Sequence, residues 1–520
     1  MANRGEIAVR IIRACRDMGL ASVAVYSESD RTARHVRMAD EACAIGPGAP
    51  ADSYLRIDRL IDAARATGAD AVHPGYGFLA ENAAFARACR AAGMIFIGPS
   101  PEAIALMGSK TAARAAAVRA GVAVVPGSGV PGSDEPIGPD VTDDTLAARA
   151  ARVGYPIMIK AVAGGGGKGM RTVAAPGDLP GAVRAARSEA QSSFGDPAIY
   201  LERRLLRTRH IEVQLLGDDH GTIVPFVERE CSIQRRHQKV IEESPSPAIG
   251  PALRGALTAA AAAVARAAHY TSAGTVEFLL DADGTFYFLE MNTRLQVEHP
   301  TTEMVTGVDL VQWQIRIARG ERLDLDPALA LTPRGHAIEC RIYAEDPDAG
   351  FIPSPGRITA LRAPGGPGIR DDGGAEEGED VPIFYDPLIS KLVAWGSDRA
   401  QAIARMARAL AEYEVLGIRT TIPFFHWLLA EPAFLAADFH TAYLDEVLQN
   451  RRGAPFFSPD LSLEEVAAVA AAIYVSRSAY APASGGDVRG GRIEVRGARL
   501  QPAQAASAWT AQARAEGLRA

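Results

Sequence analysis

The sequence predicts a multidomain α/β and α+β protein of 520 residues, and three observations lead there. The first hundred residues alternate helix-like and strand-like stretches, the spacing of a parallel α/β sheet. A run of four glycines, Gly164, Gly165, Gly166 and Gly167, sits between two strand-like segments. Farther on, Asp283-Gly284 separates two apolar runs, a strong hairpin signal.

Taken in order, a helix over Ile7 to Met18 precedes a strand over Ala21 to Tyr26. A helix over Tyr54 to Thr67 precedes a strand over Ala69 to His73. A third helix, Asn82 to Ala92, precedes a strand over Met94 to Ile97. The chain as given opens on a loop-like segment, Ala2 to Glu6, where a Rossmann-like unit has a strand, so that first strand is expected to be missing. Pro126 to Asp144 is rich in Gly, Pro and Asp and reads as a linker. A strand follows over Pro156 to Lys160. Mixed strands and helices run from about residue 200 to Glu446, and the tail beyond contains one helix-like segment, Leu463 to Ile473. The rest of that tail, Gly- and Ala-rich, is expected to be partly disordered or to depend on a partner.

Composition narrows the function. Apolar residues make up 48% and charged residues 22%, enough to bury a large core. A net charge of -7 argues against a broad basic face for nucleic acid, so local basic clusters point to a small anionic ligand. The five cysteines form no C-x-x-C pair, no apolar run is long enough to span a membrane, and the N-terminus lacks a signal-peptide pattern. A reduced, cytoplasmic protein is the expectation.

Most of the chemistry is concentrated in Gly274 to Pro300. With Asp283 and Gly284 as the two central turn residues, Ala282 pairs with Thr285 and Glu277 falls opposite Glu290. Asn292 then shares their face. Facing carboxylates repel unless one is protonated or a cation lies between them. Glu, Glu and Asn form an oxygen-only set that suits Mg²⁺. A solvated hairpin face is the competing reading of the bare pair. Continuing the strand places Glu290, Asn292, Arg294, Gln296 and Glu298 in one polar row. An Arg and a Gln can hold a small oxyanion while a Glu removes its proton.

The stretch Lys160 to Met170 contains the four-glycine run, then Lys168 and Gly169. Consecutive glycines let backbone N–H groups approach phosphates. Because Gly169 and not Ser or Thr follows Lys168, this is no Walker A loop. A hairpin flap over nucleotide phosphates is expected, with a structural turn as the alternative. The loop Gly75 to Ala80 lacks the acidic residue of a dinucleotide fingerprint. Two basic segments, Arg203 to His210 and Gln234 to Lys239, are best read as facing phosphate or bicarbonate.

Together these residues resemble the biotin carboxylase family of ATP-grasp enzymes. The matching stretches are Ala2 to Glu6, His73 to Phe78, Lys160 to Met170, Glu230 to Lys239, Glu290 to Pro300 and Gly335 to Arg341, and the resemblance runs from residue 2 to about 446. The segment Tyr385 to Lys391 looks most like acyl-CoA carboxylase members. The resemblance implies an N-terminal Rossmann-like (pre-ATP-grasp) domain over 1–108, a linker and ATP-grasp lid over 109–204, an ATP-grasp core over 205–325, a C-terminal biotin carboxylase domain over 326–446 and a tail over 447–520.

By that resemblance ATP is bound by Lys110, Lys160, Gly164, Gly165, Gly166, Gly167, Lys168, Gly169, Glu202, Arg203, Leu205, His210, Gln234, His237, Glu277 and Glu290. Glu277, Glu290 and Asn292 hold Mg²⁺ or Mn²⁺. Lys239, Arg294, Gln296, the Val297 backbone and Glu298 bind bicarbonate, with Glu298 as its general base. Tyr76 and Arg341 meet biotin, and Arg341 stabilises its enolate. The implied reaction passes through carboxyphosphate. The implied partners are a biotin carboxyl carrier protein or domain, a second copy of the chain and a carboxyltransferase subunit. No Met-Lys-Met biotinylation site occurs, so biotin is expected on another polypeptide or on a longer form of this one. Ser109 replaces a usual Asp before Lys110, and Tyr343 replaces an Asn common in free-standing bacterial members. Another ATP-grasp ligase of carbamoyl-phosphate-synthetase type, and a silent docking protein, are the competing functions.

Overall fold

The computed structural model describes residues 1–127, 137–138, 140–162, 170–456 and 461–479. Helix α1 (Gly5–Asp17) opens the chain and buries Ile7, Ile11, Ile12 and Ala14. Strand β1 (Val23–Ser27) pairs in parallel with β2 (Glu41–Gly46), and β3 (Ala71–Val72) with β4 (Ile95–Phe96). The Met1 amine donates to the Val23 carbonyl at 2.6 Å, and the Ala2 N–H donates to the His73 carbonyl at 2.9 Å, so the first two residues bridge the two pairs. The three predicted helices and strands of this region are present, the first helix starting two residues earlier than expected and the other elements shorter. Asn82 caps its helix by accepting from the Phe85 N–H at 2.9 Å. The Ala-rich β2 escaped prediction, because only its pairing to β1 makes it a strand.

Helix α2 (Lys110–Arg119) starts at Ser109, whose hydroxyl caps the Ala112 N–H. A small sheet follows, in the order β6–β5–β7, from β5 (Ile157–Ala161), β6 (Met170–Val173) and β7 (Ile199–Arg203). Helix α3 (Leu179–Phe194) contributes Leu179, Val183 and Ala186 to its core with Ile157, Ile159, Ile199 and Leu201. Strands β5 and β6 pair antiparallel, as the two sides of the expected flap should. The flap itself, Gly164, Gly165, Gly166, Gly167, Lys168 and Gly169, lies outside the described residues.

The site stands on one large antiparallel sheet. Its strands are β8 (Arg209–Gly217), β9 (Ile223–Pro225), β10 (Arg229–Arg235), β11 (Gln238–Ser244), β12 (Ser272–Leu280), β13 (Phe286–Asn292), β14 (His336–Tyr343), β15 (Ile369–Gly373) and β16 (Leu388–Gly396). The order is β13–β12–β8–β10–β11–β14–β16–β15, with β9 also on β8. Helix α4 (Pro251–Ala267) packs its Leu257, Ala261, Val264 and Ala265 against Ile211, Val213, Val276 and Phe278. Helix α5 (Arg399–Glu412) does the same for Ile338, Cys340, Leu392 and Ala394 through Ala402, Met406 and Leu410. Because side chains alternate along a strand, residues flanking these core positions face the other way. His210, Glu212, Glu277, Glu339, Arg341 and Lys391 therefore share the opposite face.

Two readings of the sequence need correction. The β12–β13 hairpin does not turn on two residues. The Asp281 N–H donates to the Thr285 carbonyl at 2.8 Å, leaving a three-residue loop, Ala282 to Gly284, with Gly284 at φ +86°. A bulge then shifts the register between Glu277 and Phe278, and the two one-residue offsets cancel, so that Glu277 does pair with Glu290. The polar row also does not continue as a strand. β13 ends at Asn292, and Thr293 to Glu298 form a loop leading into a helix at His299. The segments expected as separate core and C-terminal domains share the sheet, with β11 pairing β14 through Glu242 and Glu339. A helix over Tyr443–Arg451 crosses the expected start of the tail, and Phe456 packs edge-on against Phe424.

Beyond these, a 19-residue helix, Leu461–Ala479, belongs to a separate unit and exposes Val466, Val469, Ile473 and Tyr474. It is longer than the predicted segment. No helix among the described residues is long and apolar enough to cross a membrane.

Candidate active site

The sheet face opposite α4 and α5 is lined with charges that are nonetheless buried, so each needs a partner. Lys239 is the hub. Its Nζ lies 2.5 Å from Glu212 Oε2, 2.6 Å from Glu298 Oε1 and 2.9 Å from Glu277 Oε1. A register shift between Ile233–Ile241 and Gln234–Lys239 leaves Val240 unpaired, which lets Lys239 reach this face while Ile241 stays in the core. Burial would depress the Lys239 ammonium, but Glu212, Glu277 and Glu298 outweigh it and hold it well above the ordinary range.

Glu298 is fully buried and sits between Lys239 and Arg341, whose Nη2 donates to Oε2 at 3.0 Å. Burial would raise its carboxyl; Lys239, Arg341 and Arg229 override that and keep it well below the usual range. Arg341 also donates through Nε to Glu242 at 2.7 Å. Arg229, itself fully buried, donates to Glu212 at 2.5 Å and to Gln214 at 2.9 Å.

At the hairpin side, Glu277 accepts from Asn292 Nδ2 at 2.8 Å, and its Oε2 lies 2.9 Å from His210 Nε2. His210 Nδ1 is 2.9 Å from Gln234 Nε2. Burial would lower the His210 imidazolium, but Glu277 raises it above its usual range. Glu290 is driven the other way from Glu277: burial first, and then repulsion from Glu277, raise its carboxyl, with Lys110 opposing. A divalent cation beside Glu277, Glu290 and the Asn292 oxygen would relieve that repulsion, and oxygen donors fit Mg²⁺ or Mn²⁺. Ligand atoms of His210, Glu212 and Glu277 also lie within 4.8 Å of one another. Lys239 already binds two of those three residues, which makes them the poorer cation site.

Lys160, on β5, is bonded to Glu202 on β7, and Arg114 Nη1 donates to the same carboxylate at 2.6 Å. Burial would raise Glu202, and the two cations hold it below its usual range. Burial lowers the Lys110 ammonium, with the Glu290 charge opposing. The predicted nucleotide ligands Arg203 and Leu205 follow at the exposed end of β7. Of the remaining predicted phosphate ligands, Gly165 and Gly166 with their flap neighbours are outside the described residues, so the structure places none of them. His237 stands apart from the buried cluster. With Arg236 it forms the tip of the β10–β11 hairpin, both at positive φ, and it is exposed.

The loop after β13 is fixed by side chains. Arg294 donates through Nε to Glu81 at 3.0 Å, through Nη1 to Gln296 at 3.0 Å and through Nη2 to Asn292 at 3.3 Å. Gln296 is buried, and the Val297 carbonyl accepts from Lys391. Tyr76 packs near Lys391, whose Nζ is 5.6 Å from its ring centroid, and Lys391 is the cross-strand neighbour of Arg341.

Sequence reasoning missed Glu81, Glu212, Arg229, Glu242, Glu339 and Lys391. His210-Glu212-Gln214 and Glu339-Arg341 did alternate with apolar residues, but such a pattern ordinarily marks a solvated strand face. Glu242 and Glu339 are direct cross-strand partners. Burial, opposed by Arg341, pushes Glu242 to about 7, and burial with the Glu242 charge lifts Glu339 well above its usual range. Neither Glu339 oxygen has a hydrogen-bond partner among the described residues. A carboxyl raised on folding contributes stability that is full below its unfolded value of 4.5 and is lost as pH rises towards the folded value. Glu339→Gln should therefore gain in melting temperature over the parent as pH goes from 5 to 8. A pH-independent difference would contradict the assignment.

Three family models match the chain: biotin carboxylase, N-terminal domain, over residues 1–104; carbamoyl-phosphate synthase L chain, ATP binding domain, over 109–326; and biotin carboxylase C-terminal domain over 339–446. The chain is 52% identical over 447 residues to the biotin carboxylase of a Nostoc species, covering 86% of this chain and 98% of that one. It is 49% identical over 446 residues to biotin carboxylase 1 of Bacillus subtilis, covering 86% and 97%. Among solved structures, the biotin carboxylase domain dimer of the Hydrogenobacter thermophilus 2-oxoglutarate carboxylase, in complex with MgADP, ADP and bicarbonate, superposes at a TM-score of 0.82. It shares 44% identity and covers 88% of this chain and 98% of that one.

Proposed function

The chain belongs to the biotin carboxylase family of ATP-grasp ligases, and from that premise we propose how its residues join bicarbonate to biotin with ATP. The observation that supports this most is the cluster of Glu298, Lys239 and Arg341 on the same sheet face as the facing pair Glu277 and Glu290.

ATP lies with its phosphates towards Lys110, Lys160 and His210, and Glu202 holds Lys160 in place. Gly164, Gly165, Gly166, Gly167, Lys168 and Gly169 complete this side, and Arg203, Leu205, Gln234 and His237 border the nucleotide. Glu277, Glu290 and Asn292 would hold Mg²⁺ or Mn²⁺, which supplies charge neutralisation of the phosphates. Bicarbonate enters between Lys239, Arg294, Gln296 and the Val297 backbone. A carboxylate gripped by two cations is a weak base. The incoming anion draws on the charge of Lys239 and Arg294, so Glu298 recovers the strength to take its proton.

The deprotonated oxygen attacks the γ-phosphorus. One P–O bond forms, the bond to ADP breaks, and the product is carboxyphosphate. That intermediate splits to CO₂ and phosphate, and the phosphate takes the N1 proton of biotin. Arg341 stabilises the negative charge on the biotin ureido oxygen, and Tyr76 borders the ring. N1 then attacks CO₂.

Biotin reaches this site on a carrier protein or domain, and the carboxyl group passes on to a carboxyltransferase subunit. Acceptors differ among relatives, whose names include pyruvate carboxylase and methylcrotonoyl-CoA carboxylase. An acyl-CoA is the acceptor we propose, on the segment Tyr385 to Lys391. Dimerisation, as in the Hydrogenobacter relative, and a cytoplasmic setting complete the proposal. The ATP-binding model is described after carbamoyl-phosphate synthase, but both flanking models and Arg341 favour biotin. The test is transfer of label from ¹⁴C-bicarbonate to free biotin or to a biotinylated carrier, with ATP and Mg²⁺. ATP-dependent labelling supports the proposal. Stable folding and ATP binding without any labelling would overturn it.

A further inference from the structure

The loop Thr293 to Glu298 has no strand partner, so its carbonyls must find other donors. The Gln296 carbonyl faces His299 Nδ1 at 2.8 Å, and the Glu298 carbonyl accepts from the Thr301 hydroxyl at 2.8 Å. Both are local. The Val297 carbonyl instead accepts from Lys391 Nζ at 3.0 Å, across 94 residues of sequence. That carbonyl belongs to the peptide unit leading into Glu298.

Lys391 is fully buried on β16. Its ammonium lies 3.2 Å from Glu6 Oε2 of α1, and its cross-strand partner on β15 is Asp372. A buried ammonium is costly unless it is paired and hydrogen-bonded. This one is ion-paired to Glu6, and a donor remains for the loop. Asp372 is shared with Arg370, while Glu6 has no other ion pair among the described residues.

We propose that Lys391, backed by Glu6, is a positioning residue for bicarbonate: it fixes the Val297–Glu298 peptide, and with it the backbone and base that grip the anion. Its hydrogen bond goes to the loop and its ion pair to α1, away from Lys160 and Glu202, so its effect falls on bicarbonate and not on ATP. The inference rests on the proposed bicarbonate site.

The experiment measures steady-state ATP hydrolysis in the purified full chain, varying bicarbonate and ATP separately, with ATP binding as a folding control. Parent enzyme without bicarbonate-dependent hydrolysis would defeat the proposed function itself. Given an active parent, Lys391→Met should raise KM for bicarbonate by about ten- to a hundredfold, the loss that follows removal of a hydrogen bond from a charged donor. KM for ATP should stay within about twofold. Equal changes in both constants, or none, would overturn the inference. Should Lys391→Met fail to fold, Glu6→Gln decides. It keeps the shape and removes the counter-charge, and it should raise the bicarbonate KM at least about threefold with ATP unaffected. An unchanged bicarbonate KM in that folded variant would equally overturn it.

Discussion

Glu298→Gln should lower bicarbonate-dependent ATP hydrolysis by about a thousandfold, within the range that general-base catalysis supplies. The amide keeps the size of the side chain and can still accept one hydrogen bond from Lys239 or Arg341, but it cannot take a proton. ATP should bind with a dissociation constant within about threefold of the parent, because Glu298 bonds to Lys239 and Arg341 while Lys160 keeps its own partner in Glu202. Single-turnover hydrolysis with saturating bicarbonate, paired with nucleotide titration, separates the two effects. Parent-like turnover would remove Glu298 as the base. Loss of both turnover and ATP binding would show a structural role instead.

Lys239→Met should have the largest effect on stability. Three carboxylates converge on this ammonium, and two of them, Glu212 and Glu298, are fully buried. Removing one partner of a buried ion pair costs about 3–5 kcal/mol, because the remaining charge is left uncompensated. Arg229, His210 and Arg341 still face the three acids, so the loss is not multiplied by three. The sign of the pH dependence follows from Lys239. Carboxyls held below their unfolded values stabilise the fold above about pH 4.5 and lose that contribution as pH falls. The variant lacks much of this gain, so its deficit in melting temperature should stay level between pH 8 and pH 5 and shrink only below about pH 4.5. Bicarbonate-dependent turnover should fall below detection at every pH. A deficit that grows in acid would contradict the hub assigned to Lys239.

How legible this site was depends on the range of the contacts. The Glu277–Glu290 pairing could be counted from the hairpin, yet the count succeeded because two departures from it cancel. The turn has one more residue than Asp283-Gly284 alone would require, and the bulge restores the register. Side-chain period predicted a straight strand through Glu298, and the chain instead breaks after Asn292, where Glu81 from a distant loop accepts from the Thr293 N–H at 3.0 Å. Nothing local to Thr293 announces that partner. The three-helix start of the N-terminal region was legible because amphipathic period and capping are local properties.

The buried acids are the opposite case. Glu212 and Glu339 alternate with core residues, the pattern that marks a strand with one face in water, and Glu242 stands between Ile241 and a second acid, Glu243. Their burial follows from the loop Thr293 to Glu298, from α1 and from neighbouring cations, all tertiary. Lys391 could be placed in a motif but not given a task, since Val297 and Glu6 lie 94 and 385 positions away from it.

The central claim is that Lys239, Arg294 and Glu298 hold bicarbonate so that its oxygen meets the terminal phosphorus of ATP. The most direct measurement follows that oxygen. The chain turns over ATP with ¹⁸O-bicarbonate, and the released phosphate is analysed by mass. One bicarbonate oxygen in each phosphate formed is the result predicted. Phosphate whose new oxygen comes only from water would contradict it.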